Sequence, residues 1–401
     1  MVPGRGRCSM TNRSVSRKTA IVGIGSTPYA EMYRAPGNCG TALESALTAT
    51  AAAIEDAGLR KSDIDGVMVG GLPNYESFML RAGLTDVRFV AYYPRAGRLC
   101  PLALAQAAAA VESEMANYVV LFNAVEFRSA GRRFGESEDV VRSGRRPTAH
   151  METSYGLAYG MSTPGANYAL AYSRYKSEHD LADDALGAVA VSSGQWASMN
   201  PDAILREKIS IEDYRSSPYI AEPLRRFDYC LVNDGCAAYV VTTADRAKDL
   251  PHTPVLVAST AGRATIREYY ASEDFWAEAC RSLKNDLLDG IGLTLADIDA
   301  VSVYDNFSTS IVWMLEGFGF AAPGEALARV ADGWISPGGQ LPVNTSGGML
   351  SESYLQGWNN HVENVRQLRG DAGARQIAGC RTILYAGLSA VPAGDVLVRG
   401  D

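Results

Sequence analysis

GLRKSDIDGV (58–67) and GLTLADIDAV (292–301) align without a gap, and each lies between a helical stretch and a strand-forming run. Chance alone can produce a ten-residue match of this kind, so the order of elements around it carries the argument. Before the first copy, TAIVGIGSTP (19–28) reads as a strand. TALESALTATAAAIEDAGL (41–59) then reads as an amphipathic helix, with Leu43, Ala46, Leu47, Ala51 and Ile54 at helical spacing. After it come a loop, an Ala-rich helix from about Pro101 to Glu114, and the strand YVVLFNAVE (118–126). After the second copy come a Gly-rich loop, a helix from about Leu350 to Leu368, and the strand RTILYAG (381–387). Two such halves, 18–250 and 251–401, predict a duplicated α/β fold packed in layers, with the chemistry where the loop-to-helix junctions meet.

Between Arg128 and Leu224 the composition turns polar and aromatic, which reads as a loop domain inserted in the first half. Insertions of this kind commonly cover a site or bind substrate. Residues 1–17 are basic and Ser-rich without an apolar run; they are expected to be a disordered tail, with neither signal peptide nor membrane anchor.

The 401 residues are 47% hydrophobic and 20% charged, enough apolar material for a large core. A net charge of −8 argues against a broad basic surface for nucleic acid or anionic membrane, while leaving room for a local basic pocket. The seven cysteines include no CxxC pair, and their odd number fits neither a disulfide framework nor a zinc ribbon. A reducing, cytoplasmic compartment is expected. None of His150, His179, His252 and His361 pairs at metal-ligand spacing, so no metal site is expected.

Five blocks then stand out: EPLRRFDYCLVNDGCAAYVVTTADRA (222–247), NPDA (200–203), METSYG (151–156), YDNFSTSIVWMLEGFGF (304–320) and LPVNTSGGMLSESYLQGWN (341–359). Through them the chain resembles the thiolase superfamily from about Lys18 to Val398, in its lipid-transfer-protein, sterol-carrier-type branch. Within that branch it resembles the steroid side-chain-cleaving acyl-CoA aldolases. The resemblance implies a thiolase fold, a homodimer, an acyl-CoA substrate, and a small partner containing a zinc ribbon and an OB-fold. No cofactor is called for, since the CoA thioester is part of the substrate.

The family's nucleophilic cysteine would fall near Arg98 or Leu99, at the entry to the Ala-rich helix. Cys100 lies one or two residues away, and is either a displaced nucleophile or a small buried residue before Pro101. The family's catalytic histidine aligns with Tyr354, and the asparagine that holds an oxyanion-hole water aligns with Tyr304. Its last catalytic cysteine falls around Tyr385 or Ala386. Related aldolases carry tyrosines at the ends of the first two motifs, and the resemblance carries that role to Tyr304 and Tyr354. Retro-aldol cleavage needs a base for a β-hydroxyl proton and an acid for the α-carbon, and two phenols can divide that work. The resemblance further implies that Gly347 and Gly348 offer N–H groups to the thioester oxygen, a plain turn being the alternative. Asp305 and Asn306 either orient the first tyrosine or form an ordinary turn. His361, read as lying in the Tyr354 helix, is expected at the surface.

Three functions remain open on the sequence. The first is retro-aldol cleavage of a bulky, possibly steroid side-chain, β-hydroxyacyl-CoA to a ketone and a shorter acyl-CoA. The second is acyl transfer through Cys100 in a degenerate thiolase. The third is a non-catalytic CoA-binding subunit.

Overall fold

The computed structural model describes residues 17–35, 40–93, 99–131, 163–263, 273–275, 277–388 and 392–401; residues 1–16 of the expected tail, the METSYG block and Arg98 lie outside them. The first half contributes strands β1 (Thr19–Ser26), β2 (Gly66–Gly70), β3 (Phe89–Tyr93) and β4 (Val119–Glu126). A two-stranded hairpin, β5 (Tyr219–Ala221) and β6 (Leu224–Arg225), leads into β7 (Asp234–Thr243). The second half contributes β8 (Val255–Gly262), β9 (Ala300–Val303), β10 (Thr382–Gly387) and β11 (Ala393–Arg399). Apart from the hairpin, the strands form one nine-stranded sheet in the order β3-β2-β4-β7-β1-β8-β11-β10-β9.

The duplication is visible in that order. Pairing along β2-β4-β7-β1 is parallel, then antiparallel twice. Pairing along β9-β10-β11-β8 repeats the pattern, and the halves meet where β1 runs beside β8. The repeated decapeptide has the same work in both. Each forms one 3₁₀ turn, in which Asp63 accepts the Arg60 N–H and Asp297 the Thr294 N–H, both at 2.8 Å. The next aspartate tethers the following parallel strand. Asp65 accepts the N–H groups of Asn117 and Tyr118 at 2.7 and 2.9 Å, and Asp299 those of Arg381 and Thr382 at 2.8 and 2.9 Å. Ile64 and Ile298 between them are buried anchors.

Helices α1 (Ala42–Asp56) and α2 (Cys100–Glu112) belong to the first half. Helices α3 (Ala277–Leu288), α4 (Ser308–Phe318), α5 (Gly348–Ser351) and α6 (Trp358–Arg369) belong to the second. Strand alternation sorts their partners. Ala20, Val22, Val67, Val69, Val120 and Phe122 pack with α1, while the intervening Ile21, Met68, Val119 and Leu121 pack with α2 and α6. The same two helices take Ile383, Tyr385 and Leu397 from the second half, whose Leu384, Ala386 and Val396 face α3 and α4. Helix and sheet layers therefore alternate, with α2 and α6 at the centre. Gly23 and Gly25 permit the closest of these contacts: a Cβ on either would lie 2.1 or 2.2 Å from a carbonyl oxygen of α1.

The helix expected from about Leu350 to Leu368 is two helices. Gln356 and Gly357 are left-handed, with φ of 58° and 87°, and the chain turns there before α6. Only glycine fits at 357, because a Cβ would lie 2.2 Å from the Tyr385 hydroxyl. In the insertion, helices Pro164–Glu178 and Gly187–Ser198 pack onto the second half: Tyr168 lies against Phe307 at 4.2 Å, and Ser193 donates to the Gly347 carbonyl at 2.6 Å. Residues 132–162 of it are outside the described set.

Replacing Asp65 with alanine strips two strand-starting N–H groups of their acceptor, at a cost of about 2 kcal/mol. Urea denaturation of D65A against the parent protein measures it.

Candidate active site

Tyr304 directly follows β9 and is fixed by its N–H, which donates to the Ala386 carbonyl on β10 at 3.0 Å. Tyr354 lies in the turn between α5 and α6, not in a helix. Its N–H donates to Asn233 Oδ1 at 2.7 Å, and Asn233 Nδ2 donates to Ser353 Oγ at 2.9 Å. Asn233, from the VNDG run of the first half, thus holds a turn of the second. The two phenol oxygens, 50 residues apart in sequence, lie 2.9 Å from each other. Both side chains are buried, and Phe127 stacks on the Tyr354 ring at 5.5 Å.

The carboxylates beside the tyrosines are buried too. Asp305 accepts the Met349 N–H at 3.0 Å and the Leu350 N–H at 3.4 Å; burial pushes its carboxyl up to about 6 against those donors. Glu352 receives Tyr29 Oη at 2.7 Å, Ser346 Oγ at 2.6 Å, and Asn359 and Asn200 Nδ2 at 2.8 and 3.3 Å. Burial, with the charge of Glu363, pushes it up to about 7.

Gly347 and Gly348 sit in the turn that leads into α5, of which Gly348 is the first residue. The Gly347 N–H donates to the Asn344 carbonyl at 2.8 Å and the Gly348 N–H to Ser346 Oγ at 3.3 Å, so both are spent inside their own turn. A left-handed pair closes this bend, which is the turn reading of the two residues.

The expected surface position of His361 needs correcting: it is fully buried on the central helix α6. Its Nε2 lies 2.7 Å from Asp395 Oδ2 on β11 and its Nδ1 3.3 Å from the Tyr239 hydroxyl on β7. The Cys100 thiol adjoins the same imidazole at the start of α2, and the Tyr385 ring lies 4.4 Å from it. Burial opposes protonation of His361, but the Asp395 carboxylate and the neighbouring thiol raise it to about 10. Cys100 is itself fully buried, and the five cysteines among the described residues are free.

The apolar residues Trp358, Val362, Val365 and Leu368 recur at three- and four-residue steps, and that stripe would have placed His361 inside. Nothing in the local pattern marks Glu352, whose four donors come from four separate segments.

A cavity of about 650 Å³ lies alongside, lined by Arg34, Ile204, Leu205, Arg206, Glu207, Lys208, Asp213, Arg226 and Phe227 among others. Its wall is bonded to the tyrosine turn, for the N–H groups of Ile204 and Leu205 donate to the Glu352 and Ser351 carbonyls at 3.0 Å. A second cleft, about 810 Å³, is bordered by Arg329 and Trp334, and Tyr304 and Tyr354 line neither cavity.

Known proteins share this thiolase-type scaffold. Residues 262–396 match the family described as "Thiolase C-terminal domain-like". The chain is 35% identical, over 96% of its length and all of the relative's, to a 17-hydroxy-3-oxo-4-pregnene-20-carboxyl-CoA lyase of Mycobacterium tuberculosis. It is 32% identical to a steroid side-chain-cleaving aldolase of Thermomonospora curvata, over 95% of this chain and 98% of that one. A solved Ltp2-ChsH2(DUF35) aldolase superposes with a TM-score of 0.84 at 31% identity, covering 96% of this chain and 98% of that one. The chain belongs to the thiolase superfamily, in its branch of acyl-CoA carbon–carbon lyases.

The His361–Asp395 pair sets a pH dependence. With the folded histidine near 10 and an ordinary value of about 6.5, the pair's contribution is complete below pH about 6.5 and is lost as pH rises through about 10. Urea midpoints across that range should fall in the parent protein, and this component of the slope should vanish in H361Q.

Proposed function

We propose that this enzyme cleaves the Cα–Cβ bond of a tertiary β-hydroxyacyl-CoA carrying a bulky, steroid-like β-substituent, releasing a ketone and a shorter acyl-CoA. The observation that carries this reading is the 2.9 Å contact between the Tyr304 and Tyr354 hydroxyls. One tyrosine, as phenolate, takes the β-hydroxyl proton. The Cα–Cβ bond breaks, its electron pair enters the thioester as an enolate, and the β-carbon becomes the ketone. The enolate α-carbon then takes a proton from the other phenol. Each turnover leaves the first tyrosine protonated and the second ionised, and direct contact returns the proton between them. No covalent acyl-enzyme and no cofactor enter this sequence, the thioester being part of the substrate.

The cavity beside the tyrosine turn supports a CoA thioester, since the cations Arg34, Arg206, Lys208 and Arg226 outnumber the carboxylates Glu207 and Asp213 in its lining, on an otherwise acidic protein. β3 ends the sheet with Val90 and Tyr92 40% and 50% exposed, an apolar edge suited to pairing with a second copy. The partner in the name of the Ltp2-ChsH2 structure supports a second, small subunit, as the family resemblance implies. The free cysteines support a reducing, cytoplasmic setting, and among the described residues no helix is long and apolar enough to cross a membrane.

Cys100 beside the His361–Asp395 pair favours a second reading, acyl transfer through a thiol. Product analysis by mass spectrometry separates the two. Given a tertiary β-hydroxyacyl-CoA, the protein, alone or with a co-expressed zinc-ribbon subunit, should release ketone plus shorter acyl-CoA. Y304F and Y354F should each lose about 10²-fold or more of kcat, and C100A should stay active. An acyl adduct on Cys100, with thiolysis of a 3-ketoacyl-CoA, would sink the aldolase reading. Native mass spectra of the same preparation should show two copies of this chain; a monomer would remove the dimer.

A further inference from the structure

The tyrosine contact depends on where two loops stop, and the four-residue helix α5 stands between them. Asp305 directly follows Tyr304, and its carboxylate caps the N-terminal end of α5 through the Met349 and Leu350 N–H groups. Glu352 directly follows α5, two residues before Tyr354. Its four donors come from the helix containing Tyr29, the loop at Asn200, the Ser346 turn and α6. Each carboxylate is at most 1% exposed, and neither has an ion-pair partner among the described residues. Burying an anion without a direct ion pair is costly, and neutral amides could fill the same space. The carboxylates therefore need a reason beyond packing.

We propose that Asp305 and Glu352 are paired positioning residues, whose carboxylates grip the two ends of α5 and so hold Tyr304 and Tyr354 at hydroxyl contact distance. Its consequence for activity rests on the aldolase reading; its consequence for geometry does not. An ionised carboxylate accepts from all its donors, whereas a protonated one must surrender an acceptor position to its own O–H. Facing Glu352 are Tyr29, the Arg366 guanidinium, and the Glu363 and Asp202 carboxylates; facing Asp305 are the Cys230 thiol and the Asn344 amide.

Burial holds Asp305 near 6 and Glu352 near 7, above the usual carboxylate range of about 4. The folded protein thus binds protons that the unfolded chain has released. Stability from these groups is complete below pH about 4 and is lost as pH rises through about 7, while the grip, and with it turnover, tightens across the same window.

The test compares D305N and E352Q with the parent protein, by kcat and KM on the acyl-CoA substrate across that window, thermal melts, and crystal structures. Each variant should lose about tenfold or more in kcat with KM nearly unchanged, and should lose part of the acid limb of the pH profile. The Oη–Oη separation should exceed hydrogen-bond range, and the fall in melting temperature with rising pH should flatten. Folded variants with unchanged kcat, pH profile and hydroxyl separation would overturn the proposal. Should a variant fail to fold, crystals of the parent protein at pH about 5 and about 8.5, either side of the two carboxyls, decide, because an Oη–Oη separation that is the same in both overturns it. If the parent cleaves no β-hydroxyacyl-CoA, the aldolase reading falls, and the crystallographic separation alone judges the grip.

Discussion

Two phenol oxygens held 2.9 Å apart in a closed interior are the constraint on which this site rests. Neither tyrosine can achieve it alone. Tyr304 is placed by β9 and β10, strands of the second half, while Tyr354 is placed by Asn233, which reaches across from the first. The duplicated fold thus supplies two rigid frames, and the chemistry sits where their loops are pinned together. Gly357 has a similar part, for it lets the chain turn past the Tyr385 hydroxyl immediately before α6.

The scaffold and the chemistry make separable demands. A thiol at the start of a helix, beside an imidazole and a carboxylate, retains the outline of a nucleophilic centre. Here that cluster is fully buried in the central layer, between α2, α6, β7, β10 and β11. The tyrosine contact lies instead at the loop junction, whose Ser351 and Glu352 carbonyls accept N–H groups from the wall of the neighbouring cavity. A bond cleavage that passes through an enolate needs proton transfers at fixed positions more than it needs a covalent intermediate.

Much of this was legible in the sequence because it is encoded locally. The repeated Asp-Ile-Asp segments predict the two halves, since the turn and the strand tether are both made within or next to the repeat. Tyr304 and Tyr354 stood out through their motifs. What escaped was encoded at long range. His361 is buried because α6 starts only after the left-handed backbone at Gln356 and Gly357, so its inward face is the one marked by Trp358, Val362, Val365 and Leu368 and not by Tyr354. Gly347 and Gly348 suggested open N–H donors, but their partners are residues of the same turn, which composition does not disclose. Glu352 was invisible for the converse reason, since its donors are spread from Tyr29 to Asn359.

The central claim is that the paired hydroxyls are where substrate reacts. A crystal structure with a non-cleavable β-hydroxyacyl-CoA analogue bound tests it most directly. The account predicts the β-hydroxyl within hydrogen-bond distance of one of Tyr304 and Tyr354, with the α-carbon facing the other and the CoA phosphates among the cations of the adjoining cavity. A thioester carbonyl seated on the Cys100 thiol, with both tyrosines remote from the acyl chain, would contradict it.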